Sequence, residues 1–155
     1  ILFPILIGFG IGALMVAIDL SSGYTRLIAA RHGVSRQYTD FPSMFFVFTS
    51  APIIVEVVYR LFLIPFLLWI VSKVIQNDKV QRFVFWVLAI VTSLLEPLGM
   101  YPDLQVVPGR LAILLALIYF GINLTQAGFF RKHGFLAAIL VRMGFYFIWH
   151  VLYIH

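Results

Sequence analysis

From Phe135 to Ile154 the chain reads FLAAILVRMGFYFIWHVLYI, and how this stretch is solvated decides the fold. At about 20 residues it is long enough to bridge roughly 30 Å of hydrocarbon as a helix. Its ionisable groups are Arg142 and His150. Arg142, Tyr146 and His150 recur every four residues, so on a helix they form one polar stripe and leave the rest of the circumference apolar. A charge near the bilayer centre costs roughly 2.5–3.5 kcal/mol, so the stripe has to be explained.

The rest of the sequence agrees with a lipid-solvated chain. Apolar residues make up 63% of the 155 positions and charged residues 11%, against about 45–50% and about 25% in a typical soluble domain. A core this small cannot hide that much apolar side chain from water. Lipid admits helices or closed barrels, and the strict alternation of barrel strands is missing. The expected fold is therefore all-α: a polytopic membrane helical bundle forming a single domain over 1–155. Ile1 opens directly on an apolar run with no basic start or small-residue cleavage site. The chain is accordingly expected to begin inside a longer membrane protein.

Apolar runs occupy 1–20, 44–75, 83–100, 111–130 and 135–154. The run at 44–75 would be about 48 Å long as one helix and contains Pro52 and Pro65, so it is expected to be a bent hairpin. That gives about six membrane segments. An even number of crossings there would gather the basic loops 21–40, 76–82 and 131–133 on one side, which the positive-inside rule makes cytoplasmic. Trp69, Trp86 and Trp149 suit interfacial anchoring, and Gly8, Gly10 and Gly12 allow close helix contact. The net charge of +5 is too dispersed to indicate nucleic acid. The expected partners are the bilayer and other membrane protein subunits.

Five ionisable residues lie away from the loops: Glu56, Arg60, Glu96, Arg142 and His150. Glu56 and Arg60 are spaced for a helical ion pair. Glu96 precedes Pro97, where a helix loses a backbone donor near Ser93 and is expected to kink. Two acids and two arginines form a neutral set, as a buried paired cluster requires. Arg142 finds no acid three or four residues away on its own helix. Its expected partner is Glu56 or Glu96 from another helix. As helix-locking glue, Glu56, Arg60, Glu96, Arg142, Tyr146 and His150 form a structural polar cluster. As a site, Glu56 would be a general base, Glu96 the second carboxylate, Arg60 an orienting group and Arg142 an oxyanion stabiliser. No metal site or cofactor is expected: the chain has no Cys, and no H-E-x-x-H motif occurs. Asn123-Leu124-Thr125 has the glycosylation pattern but lies within a span, where it should be silent.

Three segments resemble the CPBP family of CAAX proteases and bacteriocin-processing enzymes. Ala51-Pro-Ile-Ile-Val-Glu-Val-Val-Tyr-Arg60 resembles its E-E-x-x-x-R segment. Thr92-Ser-Leu-Leu-Glu-Pro-Leu-Gly-Met-Tyr-Pro102 resembles S-S-L-L-F-x-x-x-H-x-P. Arg131-Lys-His-Gly134 with Phe135 to Arg142 resembles R-x-x-G-x-x-A-A-x-x-x-H. The resemblance implies an intramembrane helical scaffold whose family members use a Glu and two His to activate water. Here Val55 stands at the first Glu, while Glu56 and Arg60 match the second Glu and the Arg. Glu96 takes an aromatic position, Met100 the first His, Arg142 the second His and Tyr146 the following Asn or Asp. Val cannot accept a proton, and neither Met nor a permanently charged Arg replaces a neutral imidazole. The resemblance implies the fold and argues against the reaction. The leading expectation is a non-catalytic CPBP-like membrane protein, a partner-binding pseudo-protease or a subunit of a larger complex. The alternatives are a glutamic-type membrane endopeptidase with a rebuilt site, and a binder of lipid, pigment or a small solute.

Overall fold

The computed structural model describes residues 2–32, 46, 50, 53–54 and 57–153, the side chains of residues 59–61 excepted. The described elements are helices, as a lipid-solvated backbone must satisfy its own polar groups. They are α1 (Leu2–Ser22), α2 (Tyr24–His32), α3 (Ile64–Val74), α4 (Asp78–Gly99), a single turn α5 (Tyr101–Leu104), α6 (Gly109–His133) and α7 (Phe135–Tyr146). Seven π-helical residues, Val57–Leu63, lead directly into α3, and another seven, Phe147–Tyr153, extend α7. Among the described residues four helices are long and apolar enough to cross a membrane: Leu2–Ser22, Asp78–Gly99, Gly109–His133 and Phe135–Tyr153. The sequence suggests about six segments. Of the hairpin expected over 44–75, most of the first half lies outside the described residues, and Val57 to Val74 is one continuous helical stretch.

Local chemistry sets the helix ends. Asn77 caps α4 by accepting the Lys79 backbone N–H through its side chain at 2.9 Å. The last turn of α6 carries Arg131, Lys132 and His133, which complement its negative end. Gly134, with φ of 85°, then reverses the chain into α7 with no further linker. A left-handed residue costs glycine nothing, so α6 and α7 become an antiparallel pair. α4 runs through Pro97 without ending there, and Pro97 is buried.

α1 packs on α7 through glycine. A Cβ on Gly144 would lie 2.5 Å from the Ile5 carbonyl oxygen and 3.2 Å from Gly8 Cα. One on Gly12 would lie 2.7 Å from Ile148 Cβ. Gly8 and Gly12 are one turn apart and face the partner, whereas Gly10 faces open space. Without side chains between them the backbones meet directly, the small-residue packing that membranes favour. The residue order of these contacts makes α1 and α7 parallel.

That order also fixes the two ends of the bundle. At one, the Phe3 ring lies 5.9 Å from Phe129, and Arg131 sits over Phe85 and Trp86. At the other, the Tyr153 hydroxyl donates to Asp19 at 2.7 Å, and Tyr24, Leu104 and Val107 join one buried cluster with Met15 and Trp149. Arg26 and Arg31 follow Asp19 on α2, so they stand at the end opposite Arg82, Arg131 and Lys132. Basic residues thus stand at both ends of the described bundle, because parallel α1 and α7 leave α2 at the far end from the Gly134 reversal. Trp149 also departs from expectation. It is 2% exposed and belongs to the core, while Trp69 and Trp86 are exposed as interfacial anchors would be.

Candidate functional site

Three helices deliver one polar network into the bundle interior. Arg142 stands two turns into α7 and Glu96 one turn from the end of α4. Asn123 and Gln126 share a face of α6 at three-residue spacing. Arg142 donates from Nη1 to Glu96 Oε1 at 3.2 Å and from Nη2 to Glu96 Oε2 at 2.7 Å, a bidentate pair. Nη2 also reaches Asn123 Oδ1 at 2.7 Å, and Nε reaches Gln126 Oε1 at 3.3 Å. Both amides are themselves anchored. Asn123 Nδ2 donates to Glu96 Oε2 at 2.6 Å and to the Tyr119 carbonyl at 2.8 Å, and Gln126 Nε2 donates to the Ala138 carbonyl at 3.3 Å.

The network is dry on one side only. Arg142 is 1% exposed and Glu96 26%, and Gln126 is fully buried. A cavity of about 280 Å³ reaches the carboxylate, lined among others by Thr92, Leu95, Asn123 and Tyr146. The Tyr146 ring lies 5.8 Å from the guanidinium carbon, and His150 packs edge-on against that ring at 4.8 Å. Both carboxylate oxygens accept hydrogen bonds, and the guanidinium spends its fork on them. Such a centre holds three helices in register.

The structure therefore brings together Glu96, Arg142, Tyr146 and His150. Glu56 and the side chain of Arg60 lie outside the described residues. Met100 packs against the cluster at the Asp19 end of the bundle. Beside the network, Ser93 is fully buried and its Oγ has no hydrogen-bond partner among the described residues.

Sequence reasoning missed Asn123 and Gln126. The signal was present, since an Asn and a Gln three apart in an apolar span must face something polar, but only ionisable groups were followed. Asp19, near the end of the first apolar run, is a buried acid. Asp19 is 5% exposed. It accepts the Thr25 backbone N–H at 2.6 Å, the Thr25 hydroxyl at 2.9 Å and the Tyr153 hydroxyl at 2.7 Å. It thus ties the start of α2 and the end of the last helix to the end of α1.

Next to this second cluster, burial pushes the Tyr24 phenol up to about 12, with Asp103 and Asp19 adding repulsion. The ordinary value is about 10. The folded state holds this proton more tightly than the unfolded one, so stability is full below pH 10 and falls as pH rises toward 12. Unfolding titrations between pH 9 and 12 should show that slope, and Tyr24→Phe should flatten it. An unchanged slope in the variant would assign the alkaline loss to other groups.

No protein-family model, no curated protein and no solved structure matches this chain.

Proposed function

We propose that this chain is a non-catalytic integral membrane protein on a CPBP-like scaffold, acting as a partner-binding pseudo-protease or as a subunit of a larger membrane complex. One observation carries the reading. Where the resemblance would place water-activating residues, Arg142 is locked by Glu96, Asn123 and Gln126. A bidentate pair closed by two amides supports a structural centre, because the guanidinium that would steady an oxyanion is already bonded to a carboxylate and two amide oxygens. In nanodiscs the purified chain should cleave neither hydrophobic nor prenylated reporter peptides above a blank. Gentle extraction from its native membrane should yield it at a defined ratio within a larger assembly. Cleavage that Glu96→Gln abolishes would overturn the proposal in favour of a rebuilt peptidase.

The cavity beside Glu96 favours a second reading, a binder of a small polar or lipid group. Its about 280 Å³ lies at the small end for a ligand site. Co-purified non-protein density between Thr92 and Tyr146 would support it.

The bundle geometry also supports a membrane orientation. The end carrying Lys79, Arg82, Arg131 and Lys132 is taken as cytoplasmic by the positive-inside rule. Val57–Val74 (7 π-helical and 11 α-helical residues) forms a fifth crossing, returning the chain from the Arg31 end to Asp78. Ile64 in the middle of that stretch is buried with Phe85, Ala89 and Ala127, as a packed span requires. The sequence has no Cys, so single cysteines report cleanly. A membrane-impermeant maleimide added to intact cells should label Gln105→Cys, and Lys132→Cys only after permeabilisation. The reverse pattern would invert the orientation.

A further inference from the structure

At the Arg131 end of the bundle, α3, α4 and α6 enclose an open pocket of about 460 Å³ lined by Leu68, Asp78, Gln81, Arg82, Phe85 and Arg131. The guanidinium carbon of Arg131 lies over two rings that meet edge to face, 5.2 Å from the Phe85 centroid and 5.8 Å from that of Trp86. Cation–π contact of this kind positions the group and leaves N–H donors to bond an oxyanion. Arg82 stands on the same wall. Among the described residues neither arginine has a carboxylate partner, although Asp78 shares the pocket. Two guanidinium groups against one carboxylate leave a positive pocket at a helix-bundle rim.

We propose that this pocket binds the phosphate headgroup of an anionic phospholipid. Phosphate oxygens suit the bidentate donors of Arg82 and Arg131, and basic pockets between membrane helices are where anionic headgroups lodge. The surroundings point to a lipid rather than a free anion. The helices that carry the pocket, α3 and α4, also expose Phe66, Trp69, Phe83 and Trp86, apolar surface on which acyl chains can lie. Lys73, over the Trp69 ring at 5.0 Å, adds positive charge at the same level. The inference does not depend on the Glu96–Arg142 centre.

The test is native mass spectrometry of the full chain from nanodiscs of phosphatidylglycerol or phosphatidylcholine, with delipidation at rising collision energy. The wild-type chain should retain phosphatidylglycerol in preference to phosphatidylcholine. The double variant Arg82→Gln/Arg131→Gln should bind it roughly ten- to thirtyfold more weakly, the typical attraction of two basic side chains to an anionic surface. Arg26→Gln/Arg31→Gln, at the opposite end, should leave retention unchanged. Arg82→Lys/Arg131→Lys keeps the charge and should retain part of the binding, which separates headgroup recognition from misfolding. Equal retention of the two lipids, or equal loss in the Arg26/Arg31 variant, would overturn the proposal. So would inorganic phosphate at millimolar concentration displacing the lipid completely, which would make this a free-anion site.

Discussion

Glu96→Met should destabilise the folded bundle by about 3–5 kcal/mol, the usual cost of removing one partner of a buried ion pair. It leaves Arg142, 1% exposed, without the carboxylate that both its terminal nitrogens bond, while Asn123 and Gln126 offer neutral oxygens alone. A guanidinium cannot shed its proton to escape. Arg142→Met should cost less, because the stranded Glu96 can take up a proton and is 26% exposed. The double variant Glu96→Met/Arg142→Met should recover part of the loss, since a buried pair exchanged for apolar groups is often near neutral. Recovery will be incomplete: Asn123 Oδ1 and Gln126 Oε1 lose their donor, at about 1–3 kcal/mol for each unsatisfied group. Equilibrium unfolding in mixed micelles, followed by Trp fluorescence, measures all three. Single variants within about 1 kcal/mol of wild type would show that the network does not hold the helices together.

The second large effect lies at the α1–α7 contact. Gly144→Leu should destabilise by at least the upper end of the about 1–3 kcal/mol typical of overpacking. The atoms in the way are the Ile5 carbonyl oxygen and Gly8 Cα. These are backbone, and backbone in a helix cannot swing aside as a side-chain tip does. Gly8→Leu should behave the same way, since its Cβ would meet the Val141 carbonyl and the Phe145 amide. Gly10→Ala is the control. Nothing lies within 4 Å of that Cβ, so it should be neutral or stabilising by a few tenths of a kcal/mol through the better helix propensity of Ala. If Gly10→Ala and Gly144→Leu shift the unfolding midpoint alike, the parallel packing of α1 on α7 is wrong. The placement of Arg26 opposite Arg131 would fall with it.

Much of the centre was legible as a demand rather than as a location. Arg142 has no acid within reach on its own helix, and lipid cannot hydrate a guanidinium. The sequence therefore requires an acid from elsewhere and narrows the choice to Glu56 and Glu96. The choice of Glu96 depends on α4 and α6 being antiparallel neighbours, which brings residues 96 and 123 to one level. The Asp19–Tyr153 bond joins residues 134 apart. No local pattern encodes such a pairing.

What the sequence by itself determined is where the chain becomes helix within lipid. The runs at 1–20, 83–100, 111–130 and 135–154 correspond to α1, α4, α6 and the α7 stretch within a few residues at each end, because burying an unpaired backbone in hydrocarbon is prohibitive and apolar length alone meets that demand. What only the tertiary structure decided is how those helices are directed and which polar faces meet. An apolar helix packs on its neighbour as readily parallel as antiparallel, so hydropathy cannot tell the ends apart. Here the choice fell to contacts between residues far apart in sequence: bare backbone at Gly8 and Gly144, a bidentate pair between Glu96 and Arg142, and two amides on α6 that saturate it.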